Sequence, residues 1–573
     1  MDATTGAART AEAEDTARPG WRLGLAAALG SWGLYFLVLW PRMFFERADG
    51  LWAGWRTVWA DWVAHLAYAN VFAERSFGRW LESHPIFATQ RFDYPFLADA
   101  VSGLLMRAGV DRVAAFVVPS LLASLLLVAL LYAFYARLLR TPGRALLATT
   151  LFFTNGGAGF LLFASELAEK PSGALLAVPP REYTWLPDHH IEWINIVTSE
   201  LLPQRGLLLG LPIGLFVLLV LLRHRPSGFR DVSSGRLVAL GALASVLVVT
   251  HAHSFLALAW LCAWLFAFDL FARRMWKPWL VFAAASAVPA FALVALTYLD
   301  VGSRGFLAWY PGWLTNPAYG PHPISFWLFL WLNWGVFLPV AAVALLRLRL
   351  WREPLVLAGA SLFVAAMLFR FQPHPWDNTK LLTWAHLLLC VPVALYLARL
   401  WAKPGALARQ LAVALFVFTT ASGFLDLWRL LGRDAVSVRM WSREELALAE
   451  SFRRLSSPDA LVLASDDHHH WVHVAGRRVL LGYRGWLASY GIDYGPVERD
   501  VATMLRSADP ELLARYGVDF VVIGRSERQD FAARAAPFAE RHALVLEAAG
   551  TQVFAVGRPA PGEAAAAGGG TQP

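Results

Sequence analysis

The sequence predicts an α-helical polytopic membrane protein, with about 11 transmembrane helices and a small C-terminal α/β domain. Three observations predict it. Membrane-length apolar runs recur through the first 430 residues, punctuated by short basic loops. Hydrophobic residues make up 57% of the 573-residue chain and charged residues only 16%, against roughly 25% in a soluble domain. Beyond about residue 431, short strand-like segments alternate with helical ones in a composition suited to water. The formal charge of +8 then reflects loop arginines and calls for no nucleic-acid partner.

Residues 1–20 are polar and mixed in charge and are expected to form a disordered cytoplasmic tail. A membrane span takes about 20 largely apolar residues. On that criterion the multispan domain, 21–430, has helices near 22–42, 112–136, 145–165, 206–222, 237–252, 254–272, 278–299, 323–346, 354–371, 380–399 and 408–430. The first run is too long for a signal-peptide core and reads as a helix that stays. Cys262 and Cys390 lie inside apolar runs and read as packing thiols. Arginine and lysine cluster before the first run and in alternate loops, as at 137–144, 223–236, 273–277, 347–352 and 399–409. That bias places the N-terminus in the cytoplasm, and an odd helix count puts the C-terminal domain outside. The domain, 431–557, reads as five short strands with helices at "SREELALAESFRRL" and "RDVATMLRSADPELLARYG"; the tail 558–573 is low-complexity and expected to be disordered.

The long first external loop, 43–111, carries the first candidate chemistry. Trp59, Trp62, Val63, Leu66 and Ala67 recur at helical spacing, which predicts an amphipathic helix lying along the membrane surface. Asp61 and His65, four residues apart, share one face of it. A carboxylate beside an imidazole at headgroup depth can deprotonate a hydroxyl; the plainer reading has Asp61 favouring a helix start. Further on, Tyr94-Pro95 predicts the opening of a second amphipathic helix, with Asp93 positioning an acceptor or simply starting that helix.

Three later segments place polar groups at the outer ends of apolar runs. "TSELLPQRGLLLGLP" sets Glu200, Gln204 and Arg205 at one mouth, where the arginine suits a phosphate or merely snorkels. "VVTHAHSF" puts His251 and His253 in a tight turn, at a spacing that disfavours a zinc pair and suits hydrogen bonding to backbone or substrate. "FRFQPHPWDNTKLL" carries Arg370, His374, Asp377, Asn378 and Lys380 in a proline-stiffened loop; ionisable groups there are costly unless used. In the C-terminal domain Asp466, Asp467, His468, His469, His470 and His473 suggest a metal, but consecutive ligands converge poorly and a structural role is preferred. No residues are assigned to a metal, although the sequence leaves a divalent ion open.

A cytoplasmic N-terminus, one helix, a long external loop with an early aspartate in "WADWVAHLAY" and a Tyr-Pro-led "FDYPFLADAVSGLL" together resemble the GT-C superfamily of integral-membrane glycosyltransferases. "ELLPQRGLLLGLP", "THAHSF" and "PHPWDNTKLL" resemble segments of bacterial multispan proteins in that neighbourhood. Two departures stand out: residue 63 is valine where the family's acidic pair continues, and Phe96 replaces the second proline of its "YPP". The resemblance implies inverting transfer of a sugar from a polyprenyl-phosphate donor to an extracytoplasmic hydroxyl on a glycan, lipid or protein. It implies Asp61 as general base, His65 or Asp93 positioning the acceptor, and Arg205 and Lys380 balancing charge on the departing phosphate. Tyr94, Gln204, His251, His253, His374, Asp377 and Asn378 are expected to line the substrate site. The alternative expectations are a non-catalytic protein that binds a lipid-linked glycan or scaffolds an envelope partner, and a transporter.

Overall fold

The computed structural model describes residues 20–298, 305–320 and 323–557. Apart from Gly20, both predicted tails lie outside the described residues, as does Arg304. Two compact units emerge from the contacts: Met1–Met43 with Val117–Leu296 and Phe306–Ser437, and Phe44–Phe116 with Thr297–Gly305 and Val438–Pro573.

The first unit is helical. Together with Trp21–Met43, six further helices are long and apolar enough to cross a membrane: Arg112–Leu139, Arg205–His224, Ala252–Arg273, Lys277–Thr297, Pro375–Ala402 and Ala406–Arg429. These seven match predicted runs, and the chain is an integral membrane protein. The other four runs behave differently. Ser234–Thr250 and Pro354–Leu368 are apolar but shorter, and Phe326–Trp334 with Phe337–Arg347 is a pair bent by 91°. The bend falls at Gly335, whose φ of +51 only glycine adopts readily. Beside it Asn333 accepts from the backbone N–H groups of Glu192 and Trp193 at 2.6 and 2.7 Å. The helix expected over 145–165 is in fact two, Pro142–Phe153 and Phe160–Glu169. The irregular backbone between them is satisfied from a distance: Asn155 Oδ1 accepts from Ile196 N–H at 2.7 Å, and Asn195 Nδ2 donates to the Phe153 carbonyl at 2.8 Å. Apolar periodicity does not register such a break, because the interrupting polar groups are paired rather than exposed.

The second unit joins the first loop to the C-terminal domain. Strand Gly50–Ala53 lies between Phe44–Arg47 and Val438–Ser442 in an antiparallel sheet. Stretches that share a sheet lie on one side of a membrane, so an even number of crossings separates residue 53 from residue 438. A second sheet has the strand order Arg478–Val479, Leu461–Leu463, Phe520–Ile523, Thr551–Ala555, Ala543–Ala548; its first three strands are parallel and its last two antiparallel. The predicted helix at 443–455 forms as Arg443–Leu455, closed by a capping box between Ser442 and Glu445. Its predicted neighbour breaks at Asp509-Pro510 into Gly495–Ser507 and Pro510–Tyr516.

Two expectations about the first loop are corrected. The Arg56–Glu74 helix does not offer one apolar face to a membrane surface: every residue from Trp62 to Phe72 is buried. It packs against Leu97–Arg107 and Trp471–Ala475. Its last residue, Glu74, is held by Arg477 at 2.5 Å and Arg453 at 2.8 Å. The second helix starts at Leu97, so Pro95 precedes it and is not an early helical residue.

One buried pair makes the C-terminal domain pH-sensitive. His470 Nε2 and Glu527 Oε1 are 3.0 Å apart, and Glu527 also accepts from the N–H groups of Ser465 and Gly524. Burial alone would raise the Glu527 pKa, but His470 and the backbone donors pull it down to about 2. Burial opposes protonation of His470 as well, and Glu527 overcomes it and raises the pKa. The glutamate's contribution is therefore present above its ordinary 4.5 and is lost as pH falls towards 2. The histidine's is complete below 6.5 and is lost as pH rises through its raised value. Melting curves of Glu527→Gln are expected to show a deficit of about 3–5 kcal/mol, largest between those two ordinary values and narrowing on either side.

Candidate functional site

Three of the polar segments meet in the helical unit. Arg205 is the first residue of the Arg205–His224 helix, after Gln204 at its cap. A Cβ on Gly206 would lie 2.5 Å from the Thr250 carbonyl and one on Gly210 3.0 Å from the His251 Cβ, so only glycines let this helix approach the 250–254 turn. His251 caps the Ala252–Arg273 helix, with Nδ1 accepting from Ser254 N–H at 3.2 Å. The Ser254 hydroxyl lies 2.8 Å from that same nitrogen and accepts from the Trp384 indole at 3.0 Å. Trp384 stands one turn above Lys380 on the Thr379–Ala402 helix. Lys380 pairs with Asp377 at 3.1 Å and is close enough to act electrostatically on both His251 and His253.

Three helix N-termini thus converge, carrying Arg205, His251 and Lys380. Each directs the partial positive charge of its dipole towards the same end. Arg205, Asp377, Lys380 and His251 are all more than nine-tenths buried, and among the described residues His251 Nε2 has no hydrogen-bond partner. This is a buried cluster of basic residues at the starts of three apolar helices, a setting that favours an anion. Asn378 is not available to it. Its amide donates to the Ala366 and Phe369 carbonyls at 2.8 and 2.7 Å and accepts from Phe371 N–H, closing the loop on itself. His374 lies at the loop's rim, 6.2 Å from the Tyr319 ring.

The first-loop candidates lie in the other unit. Asp61 is half-buried on the Arg56–Glu74 helix. His65, one turn on, directs Nδ1 to Asp99 Oδ2 at 2.9 Å, both groups buried. The carboxylate that orients His65 is therefore Asp99, which sequence reasoning passed over although it lies within "FDYPFLADA". Its signal was a charge in the first turn of an otherwise apolar helix face. Tyr94 packs between Tyr68 and Tyr490, with ring centroids 4.9 and 5.4 Å away, and lies 6.1 Å from the His65 ring. Asp93 Oδ1 is 3.9 Å from His84 Nε2.

Residues 468–473 position the same helix. His469 stacks on Trp59 at 4.2 Å with Nε2 3.1 Å from the Trp59 carbonyl, and the His473 carbonyl accepts from Asn70. Burial pulls His468 down to about 4 and His469 to about 3, so both are neutral at neutral pH. Among the described residues no group of three or more His, Cys, Asp or Glu side chains has a metal-binding arrangement.

No protein-family model matches the sequence, and no curated protein matches it. Solved structures with a similar course of chain include ArnT from Cupriavidus metallidurans in the apo state, at 14% identity and a TM-score of 0.44. The same protein bound to undecaprenyl phosphate aligns at 16% and 0.47; each alignment covers 94% of this chain and 98% of the other. The archaeal oligosaccharyltransferase AglB from Archaeoglobus fulgidus, in complex with an inhibitory peptide and a dolichol-phosphate, aligns at 12% identity and 0.47 over 88% of this chain and 69% of its own.

Because Asp99 and His65 are buried against each other, Asp99→Ala is expected to strand the imidazole at a cost of about 1.5–3 kcal/mol. Thermal unfolding in detergent measures that loss, and a variant as stable as the parent excludes the pairing.

Proposed function

We propose that the chain is a membrane glycosyltransferase of the GT-C type, taking a sugar from a polyprenyl-phosphate donor. The observation that carries this reading is the convergence of Arg205, His251 and Lys380 at three helix starts. A lipid-linked phosphate arrives at that depth in the membrane, and its negative charge is what those groups stabilise. In the proposed reaction an acceptor hydroxyl attacks the anomeric carbon, and the bond from that carbon to the phosphate oxygen breaks. The phosphate leaves with the electron pair, and Asp61 takes the hydroxyl proton. Attack opposite the leaving group inverts the anomeric centre. His65, held by Asp99, and Asp93 position the acceptor; Arg205 and Lys380 stabilise the charge growing on the phosphate. Tyr94, Gln204, His253, His374 and Asp377 complete the proposed substrate contacts.

The acceptor class is an extracytoplasmic glycan, lipid or protein hydroxyl. The same reading places the first loop and C-terminal domain outside the inner membrane of a bacterium, with the N-terminus in the cytoplasm. Support comes from the sheet that the first loop and C-terminal domain share, which keeps them on one side, and from the arginine bias of the alternate loops.

Purified protein incubated with labelled polyprenyl-phosphate sugar is expected to consume donor. Asp61→Asn should slow turnover by about 10²–10⁴-fold with donor binding retained. Lys380→Met should weaken donor binding as well as turnover. An Asp61→Asn protein that transfers at the parental rate would falsify the base assignment. Binding without any consumption of donor in the parent protein would favour the non-catalytic reading instead, and uptake into vesicles would favour a transporter.

A further inference from the structure

The far ends of the same membrane helices carry a second, unrelated feature. The Arg205–His224 helix is 20 residues long, which puts its last turn about 30 Å from Arg205. There, the stretches 226–230 and 273–278 flank a hollow of about 520 Å³, open to the surface and lined by Arg230, Arg273, Arg274, Trp276 and Lys277. The nearby carboxylates are already engaged. Asp269 holds Arg225 through bonds of 2.7–3.0 Å and accepts from the Trp279 indole, and Asp231 is bound by His224 and Ser227. Among the described residues none of Arg230, Arg274 and Lys277 is in an ion pair. Trp276 and Phe271 are exposed beside them, as aromatic side chains at headgroup depth are.

A second cavity takes its lining from Trp279 onward, the residue after Pro278 on the same helix. It occupies about 410 Å³ along the Ala252–Arg273 and Lys277–Thr297 helices, and its walls include Phe255, Leu258, Cys262, Phe266, Trp279 and Phe282. Snorkelling arginines account for cations at a helix end, but they need neither a basic hollow there nor an apolar one beginning at the next residue of the same helix. A basic hollow at a helix start and an apolar one further along the same helix match a molecule with an anionic head and a long hydrocarbon chain.

We propose that this is a binding site for an anionic phospholipid of the surrounding leaflet, with its phosphodiester among Arg230, Arg274 and Lys277 and an acyl chain in the apolar cavity. The loop bias in arginine makes that leaflet the cytoplasmic one. The lipid is neither donor nor acceptor; it is a resident ligand at the end of the bundle away from Arg205.

The test uses full-length protein in nanodiscs of phosphatidylcholine with a minor share of phosphatidylglycerol, and native mass spectrometry of the lipids retained. The parent protein is expected to retain phosphatidylglycerol over phosphatidylcholine. Combining Arg230→Gln, Arg274→Gln and Lys277→Gln should lower that retention about fivefold per charge and about a hundredfold in all. Ala263→Phe fills the apolar cavity with every charge intact and should lower it too. Equal retention of the two lipids by the parent, or a preference that survives the triple variant, overturns the proposal. A preference untouched by Ala263→Phe and competed away by inorganic phosphate reveals a small-anion site only, and overturns it equally.

Discussion

The Ser254 hydroxyl is the point on which the candidate site turns. It accepts from the Trp384 indole while lying against His251 Nδ1, and so it locks the start of the Thr379–Ala402 helix to the start of Ala252–Arg273. Gly206 and Gly210 bring the third helix start against the same turn. Three positive helix ends held together repel one another in a medium of low dielectric. Asp377, buried and paired with Lys380 at 3.1 Å, supplies part of the counter-charge. On the proposed reading an anionic donor supplies the rest.

The second unit obeys a different constraint. Its Arg56–Glu74 helix carries Asp61 but is surrounded by chain, so the position of that carboxylate is set by packing rather than by a membrane surface. The pieces that set it come from far along the sequence. Stacked His469, the His473 carbonyl and the Arg477 guanidinium all act on this one helix. The histidine run that suggests a metal therefore serves as a mount. The imidazoles of His468 and His469 are neutral because burial disfavours their charge, and neutral rings stack and form hydrogen bonds without needing counterions.

What the sequence made legible follows from which physics is local. Seven membrane-length helices were readable because hydrocarbon imposes a length and a composition on a continuous run. The breaks at 154–159 and at Gly335 were not, because Asn155, Asn195 and Asn333 satisfy them from residues distant in the chain. Arg205, His251 and Lys380 were each legible as costly charges or imidazoles at helix ends, and only folding reveals that they share one end of the bundle. Asp99 was missed for the opposite reason. Its partner is 34 residues away, and an acidic residue in a first helical turn has an ordinary explanation that conceals a buried pair. Asn378 errs the other way: a polar residue in a functional-looking loop is spent on the loop's own carbonyls.

Burial separates the two cationic ends of the helical unit. At the far end Arg230, Arg274 and Lys277 are exposed, and holding them there costs little. At the candidate site Arg205 and Lys380 are 3% and 8% exposed. A cation so placed is tolerated only if paired, and Asp377 holds Lys380 at 3.1 Å. Replacing a buried ion pair with apolar side chains is often neutral or stabilising, so stability alone gives little reason to keep one at a helix start. On the proposed reading its use is to keep a charged lysine desolvated and oriented in advance for a phosphate. Under the proposed function the same logic favours a site at helix starts over one on loop side chains: backbone N–H groups cannot swing away, and helix dipoles favour a departing phosphate.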